Sequence, residues 1–349
     1  MNFIITLLIL FIMLGLIISI HEFGHFIAAK SSGVYVDEFS IGMGPLIFKH
    51  KPKNSETTYS LRLLPIGGFV SMAEKEDPKV KIKKDRVLAN KDFLHTLWVL
   101  IDGIVFNFIL AIALFFISGL IYGRPFNDPI ISKVDEGGAA YKAGVEAGDK
   151  ILEIDGVKIK TLDDFLLEAY AKELKSEYIF KIEKADGSVV EYTIIPDIKE
   201  EDGEEKRVYG LVSETRYEKG YLNAIKYAFV GTYENSVTIF KILGSLFTGQ
   251  ISVKNLSGPV GIYSVVDNVK SQGFQTLLYL TAYLSINVGI INLLPIPVFD
   301  GGRIFILIIE KITRKKASDN LENILNYIGF GLMILLMLFV TINDVLRLV

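Results

Sequence analysis

His21-Glu22-Phe23-Gly24-His25 places two imidazoles and a carboxylate within five residues. On a helix, residues four apart lie one above the other on the same face. Two neutral His nitrogens spaced in this way can hold a Zn²⁺ ion, and the carboxylate beside them can take a proton from a water held there. That is the chemistry of metal-assisted hydrolysis, with His21 and His25 as ligands and Glu22 as base. A catalytic zinc needs a third protein ligand and an open position. The chain has no Cys, so thiolate ligands, thiol nucleophiles and disulfides are excluded. The other two histidines, His50 and His95, read as loop and interfacial residues.

The motif ends the apolar run Phe3 to Ile20, which is long enough to cross a bilayer. Ionisable residues at such a place are expensive, so they mark function. The run lacks a basic leading segment and a small-residue cleavage site, and it reads as a retained membrane helix. Half of the 349 residues are hydrophobic, and mean hydropathy is +0.40. That excess, beside many charges, predicts a polytopic α-helical membrane protein carrying a water-exposed domain. Leu97 to Tyr122, Thr276 to Leu294 and Ile324 to Val340 are the other candidate spans, making four.

Charge orients them. Lys30 to Asp92 carries 12 Lys/Arg and 8 Asp/Glu; Arg303 to Glu322 carries 5 and 3; Arg124 to Lys219 carries 15 and 23. The positive-inside rule puts the first two in the cytoplasm and the third outside. HEFGH then lies toward the cytoplasmic side. The third run ends in Asn292-Leu-Leu-Pro295-Ile-Pro297-Val-Phe-Asp300-Gly-Gly, on that same side. Two prolines break the helix and two glycines allow close backbone approach, which makes Asp300 the natural third ligand. As an alternative, Asp300 caps the helix that follows.

Val36 to Phe48 and Thr58 to Met72 read as short strands or hairpins beside the site. Glu74 to Lys91 reads as a solvated loop and Glu200 to Arg207 as a charged linker or loop. Leu222 to Phe247 fits an interfacial amphipathic helix better than a fifth span. Leu64 to Met72 is a candidate edge strand for pairing with an extended peptide. Gly67, Gly68 and Phe69 are its central residues, and the glycines allow close approach. No basic patch with interleaved aromatics points to nucleic acid.

HEFGHF followed by NLLPIPVFDGG resembles the two signature motifs of the site-2 protease family of intramembrane zinc metalloproteases. AAYKAGVEAGDKILEIDGVKI resembles a bacterial protease PDZ domain. FSIGMGP, LPIGGFV and SGPVGI resemble further segments of the branch typified by the regulator of sigma-E protease, in a version with one PDZ domain. Two departures stand out: Asp102-Gly103-Ile104 replaces the family's Gly-Pro before Asn107, and His95 replaces an upstream basic residue. The role of Asp102 stays open.

The resemblance implies four spans, a membrane-associated β-region and one inserted extracytoplasmic PDZ-like α+β domain. The expected segments are 1–29 (first span with HEFGH), 30–93 (β-region and loop), 94–123 (second span) and 124–200 (PDZ-like domain). They continue as 201–275 (linker and amphipathic region), 276–302 (third span), 303–323 (cytoplasmic loop) and 324–349 (fourth span). It also implies Zn²⁺ on His21, His25 and Asp300, and substrate binding by Asn292, Pro295 and Pro297 together with Gly67, Gly68 and Phe69. The implied partners are single-span membrane proteins already shortened by another protease, peptide ligands of the PDZ domain, and the lipid bilayer. The implied location is the bacterial cytoplasmic membrane. An inactive scaffold acting through the PDZ-like domain and an ion transporter are the rival readings.

Overall fold

The computed structural model describes residues 2–76, 82–126, 128–170, 175–201, 204–213, 216–249 and 256–348. They form two compact units, Met1–Ile121 with Tyr221–Val349, and Tyr122–Gly220.

The first unit begins with α1 (Asn2–Ser31), whose apolar residues run on all faces of the helix, as a membrane span requires. Two long strands follow, β1 (Val36–His50) and β2 (Thr58–Met72). Each doubles back. Residues 38–41 of β1 pair on one side with 68–71 of β2 and on the other with 58–61, while 46–50 pair with 59–62. Gly42 (φ 83°), Gly44 (φ 80°) and Gly67 (φ 84°) take the left-handed conformation the bends need. The sheet seats Val36 and Phe39 against Phe26 and Ala29 of α1 and Val99 of the next helix.

The stretch after β2 is not the solvated loop its charges suggest. Val87 and Leu88 are buried, and the Leu88 backbone N–H donates to the Ala73 carbonyl at 2.8 Å. One apolar pair anchors an otherwise charged run; residues 77–81 of it lie outside the described set. The chain then enters α2 (Phe93–Ile121).

The second unit opens with β3 (Arg124–Phe126), β4 (Lys133–Val134), α3 (Ala139–Ala143), β5 (Lys150–Ile154), β6 (Val157–Lys158) and α4 (Leu162–Tyr170). It continues through β7 (Tyr178–Glu183), β8 (Val189–Ile194), β9 (Asp197–Glu201), β10 (Glu204–Val208), β11 (Leu211–Val212) and β12 (Arg216–Glu218). The main sheet has the order β6-β5-β7-β8, and β9–β10, β11–β4 and β12–β3 are separate antiparallel pairs. Ile131, Ile151, Ile154, Phe180, Ile182 and Tyr209 are at the core. The unit thus extends past residue 200. The stretch read as a charged linker is the β9–β10 hairpin, with residues 202–203 outside the described set; its backbone pairing does not depend on side-chain polarity. Leu162 to Leu174 has helical spacing in the sequence; α4 covers it as far as Tyr170, and residues 171–174 are likewise outside that set.

The first unit resumes with α5 (Tyr221–Phe247), α6 (Pro259–Val269), α7 (Phe274–Leu293), α8 (Asp300–Thr313) and α9 (Asp319–Leu348). Among the described residues, four helices are long and apolar enough to cross a membrane: Phe3–Ser31, Phe93–Ile121, Phe274–Leu293 and Asn320–Leu346. The amphipathic α5 is not one of them. It lays Ala224 and Tyr227 on Gly119 and Phe115 of α2. The segment 303–323, read as a loop, is helical as far as Thr313 because Ile304 and Leu307 pack on Leu100 and Ile104 of α2. Asp344 of α9 accepts hydrogen bonds from the Gly258 and Gly261 backbone N–H groups at 2.9 and 2.8 Å, tying α9 to the start of α6.

Candidate metal centre

One turn of α1 carries both imidazoles, and their Nε2 atoms lie 3.2 Å apart. Asp300 is distant in sequence but not in space. Its Oδ2 is 3.1 Å from His21 Nε2 and 3.3 Å from His25 Nε2. Asp300 is the first residue of α8, and Phe299 occupies the capping position, so the alternative reading of Asp300 as the cap does not apply. Val298, in the chain just before it, has φ 92°. A β-branched residue in that region stores on the order of 1–3 kcal/mol of strain. The glycines after Asp300 allow the fold-back: a Cβ on Gly301 would lie 2.3 Å from the Leu293 carbonyl oxygen, and one on Gly302 2.4 Å from that of Ile296.

The three donor atoms form a nearly equilateral triangle. An ion holding tetrahedral ligands at about 2.0–2.1 Å sets them about 3.3–3.4 Å apart. The triangle therefore has the size of one face of a zinc coordination shell, and two His with one carboxylate is a donor set that suits zinc. His50 and His95 are elsewhere: His50 ends β1 opposite Tyr59, and His95 Nδ1 lies 2.7 Å from Asp92.

Helix α2 orients the rings, and this the motif did not reveal. His25 Nδ1–H donates to the Val99 carbonyl at 2.7 Å, which leaves Nε2 of the neutral ring as a lone pair aimed at the triangle. Asn107 Nδ2 lies 3.2 Å from His21 Nδ1, while the buried Asn107 Oδ1 has no partner among the described residues. Turning that amide over makes Oδ1 the acceptor for His21 Nδ1–H and frees the second Nε2 as well. Between Val99 and Asn107, Gly103 clears the space: a Cβ there would meet His25 Nε2 at 2.5 Å and His21 Cε1 at 2.8 Å. The Gly103–Asn107 spacing of four residues was the available signal, since both lie on one face of a long apolar helix.

A cavity of about 310 Å³ opens over the triangle, lined in part by Glu22, Val70, Met72, Asn292 and Arg303. Glu22 is half-buried, and its Cγ lies 3.8 Å from where a Cβ on Gly68 would stand. Gly67 and Gly68 are buried, with Gly67 close against Ile18. Phe69 turns elsewhere, under the Arg62 guanidinium. Among the described residues, Gly67, Gly68, Phe69, Pro295 and Pro297 are not part of the cavity lining, whereas Asn292 is. Pro297 instead meets Gly329 of α9, where a Cβ would stand 2.4 Å from the Pro297 carbonyl oxygen. Asp102 is buried, and its Oδ2 has no partner among the described residues.

Residues 9–336 match the family described as peptidase family M50. The chain is 36% identical over 331 residues to a Clostridium acetobutylicum protein that carries a zinc-metalloprotease name, covering 95% of this chain and 94% of that one. It is 31% identical over 425 residues to the regulator of sigma-W protease RasP of Bacillus subtilis, covering 99% of each. It is also 31% identical over 412 residues to zinc metalloprotease RasP of Geobacillus kaustophilus, covering 96% of each.

Proposed function

The chain belongs to peptidase family M50, and from that premise we propose that it is an intramembrane zinc endopeptidase. The observation that carries this reading is the His21–His25–Asp300 triangle beside Glu22 in one cavity, with a strand along its wall.

In this reading His21, His25 and Asp300 hold the ion. When bound, zinc polarises a peptide carbonyl and makes water acidic near neutral pH. Glu22 takes the proton from the attacking water and delivers it to the leaving amine, as its place beside the ligands allows. Val99, Gly103 and Asn107 keep the two rings turned inward. A transmembrane helix offers no free backbone groups, so the substrate is unwound and held as an extended strand. Residues 68–71 of β2 use one edge for β1, and the opposite edge is the candidate holder. Gly67 and Gly68 let that strand lie close against Ile18 of α1 and Ser40 of β1, which leaves its other edge for the substrate, and Phe69 stabilises the strand from its far side. Asn292 in the cavity wall hydrogen-bonds the substrate backbone, while Pro295 and Pro297 set the break that delivers Asp300.

The unit Tyr122–Gly220 acts as a PDZ-like peptide-binding domain on the extracytoplasmic side, and the site lies toward the cytoplasm. The substrates are single-span proteins already shortened by an earlier cut, such as anti-sigma regulators and signal-peptide remnants. The membrane is the bacterial cytoplasmic membrane, the partners are these proteins and the bilayer, and nucleic acid is not among them.

The test is cleavage of a single-span substrate by purified detergent-solubilised protein, wild type against Glu22→Gln, with zinc measured on both. Cleavage by wild type alone at equal zinc loading is expected, with a loss on the order of a thousand-fold or more in the variant. Equal cleavage by both overturns Glu22 as the base. Zinc bound with no cleavage by either favours a scaffold role.

A further inference from the structure

Apart from the ligand triangle and Glu22, the charged residues that line the cavity among those described are Glu74 and Arg303. They stand at its mouth. Arg303 Nη1 donates to Glu74 Oε1 at 3.0 Å, and the two side chains are 44% and 48% exposed. Each is tied by its backbone to a different wall. Arg303 follows Asp300 by three residues on α8, about one turn along the helix. Glu74 follows Val70 and Met72 at a spacing of two. All three line the cavity, so Glu74 continues the strand face that looks into it.

A peptide laid along that strand face and leaving past Met72 runs into the ion pair. The rest of the wall is largely apolar, including Ile18, Val99, Leu100 and Val288, and offers such a peptide little charge to answer its own. A half-exposed pair of this kind contributes little to stability, so either member can change partners at small cost. The neighbouring Lys75 pairs separately with Glu322 of α9 at 2.7 Å, so it does not compete for Glu74.

Resting on the peptidase reading above, we infer that Glu74 and Arg303 are specificity-determining residues that read charge on the substrate just outside the cut. Glu74 takes a basic side chain and Arg303 an acidic one, each by exchange out of their mutual pair. The paired state admits both kinds of flank; removal of one member leaves the other to repel its like.

The experiment uses the full chain in detergent and a single-span substrate built on an apolar segment of about 20 residues. Lys, Gln or Glu is placed in turn at each of four positions on either side of the cut, and kcat and KM are measured for each. Glu74→Gln is expected to lower the Lys-to-Gln ratio of kcat/KM about tenfold at one or more positions, and Arg303→Gln to lower the Glu-to-Gln ratio similarly; tenfold corresponds to about 1.4 kcal/mol. Arg303→Lys is expected to restore the wild-type ratios. Variants that slow all three substrates alike, with a lowered Tm, mark the pair as a structural tie and overturn the inference. Wild-type cleavage with ratios that do not move in either variant overturns it too, and leaves the peptidase reading standing. A wild-type chain that cleaves none of the set, or cleaves no better than Glu22→Gln, overturns both.

Discussion

The two units bury polar groups by opposite rules. In Tyr122–Gly220, apolar side chains such as Phe180 and Ile182 are inside, and the buried charges are answered. Asp149 is 3.0 Å from Lys184, and Arg207 donates to the Tyr178 hydroxyl. In the other unit, Leu332, Leu335 and Leu338 of α9 face outward, while His21, His25, Asp102, Asn107 and Ser285 are buried. Here the buried polar groups are not all answered: Asp102 Oδ2 has no partner among the described residues. The difference follows from the solvent each unit is built for. In water, apolar burial holds the fold and a buried charge needs a counter-ion. In lipid, helices satisfy their own backbones, the outside is apolar, and polar side chains collect at helix contacts, where function can use them.

By this contrast, a cavity in one unit costs stability and a methyl group in the other costs the site. Phe180→Ala, deep in the Tyr122–Gly220 core, is expected to destabilise that unit by about 3–5 kcal/mol. Zinc content at full folding should be unchanged, which calorimetry and metal analysis on the same sample would check. Gly103→Ala is the counterpart. Its Cβ has no room beside His25 Nε2 and His21 Cε1, and those ring atoms are what must move. The expected result is a loss of zinc affinity and of cleavage of about a hundredfold or more, with little change in Tm. A fall in Tm with zinc retained would assign Gly103 to helix packing instead.

Asn107→Ala removes the group beside His21 Nδ1 without adding bulk. It is expected to lower zinc affinity about 10- to 100-fold, and an unchanged affinity would mean that α1 alone orients the ring. The smallest effect concerns Glu56, in the connection between β1 and β2. The two-pronged bond from Arg86, with both N···O distances 2.6 Å, lowers its pKa to about 2 against a modest opposing effect of burial, and Lys30 adds to the lowering. A carboxylate lowered in the folded state contributes its stability above the unfolded value, near 4.5. That contribution is lost as pH falls through about 4.5 toward about 2. The Tm gap between wild type and Glu56→Gln should therefore be widest near neutral pH and narrow through that window.

Much of the architecture was legible because it is local. Long apolar runs mark helices, and runs rich in β-formers, punctuated by Gly and Pro, mark the sheet. The spacing of His21 and His25 puts two rings on one helix face whatever lies around them. The misreadings also have local causes. Charge concealed the buried Val87 and Leu88, and it concealed the β9–β10 hairpin, because backbone pairing and one or two apolar anchors can carry a segment whose average composition is polar. The short helix after Asp300 is too mixed to announce itself, and it forms because Ile304 and Leu307 find α2.

What the sequence determined by itself was the chemistry available and the elements that carry it: two imidazoles one turn apart, a carboxylate between them, no thiols, and four apolar helices. What only the tertiary structure decided was the company those residues keep. Val99, Gly103 and Asn107 are separated from His21 and His25 by more than 70 residues, and Asp300 is farther still. The break before Asp300 and its side of the membrane already pointed that residue toward the histidines, but nothing in the local pattern of Val99, Gly103 and Asn107 says which rings they meet. Contacts between distant segments are set by how helices pack, and at Gly103 that packing leaves no room for even one more carbon.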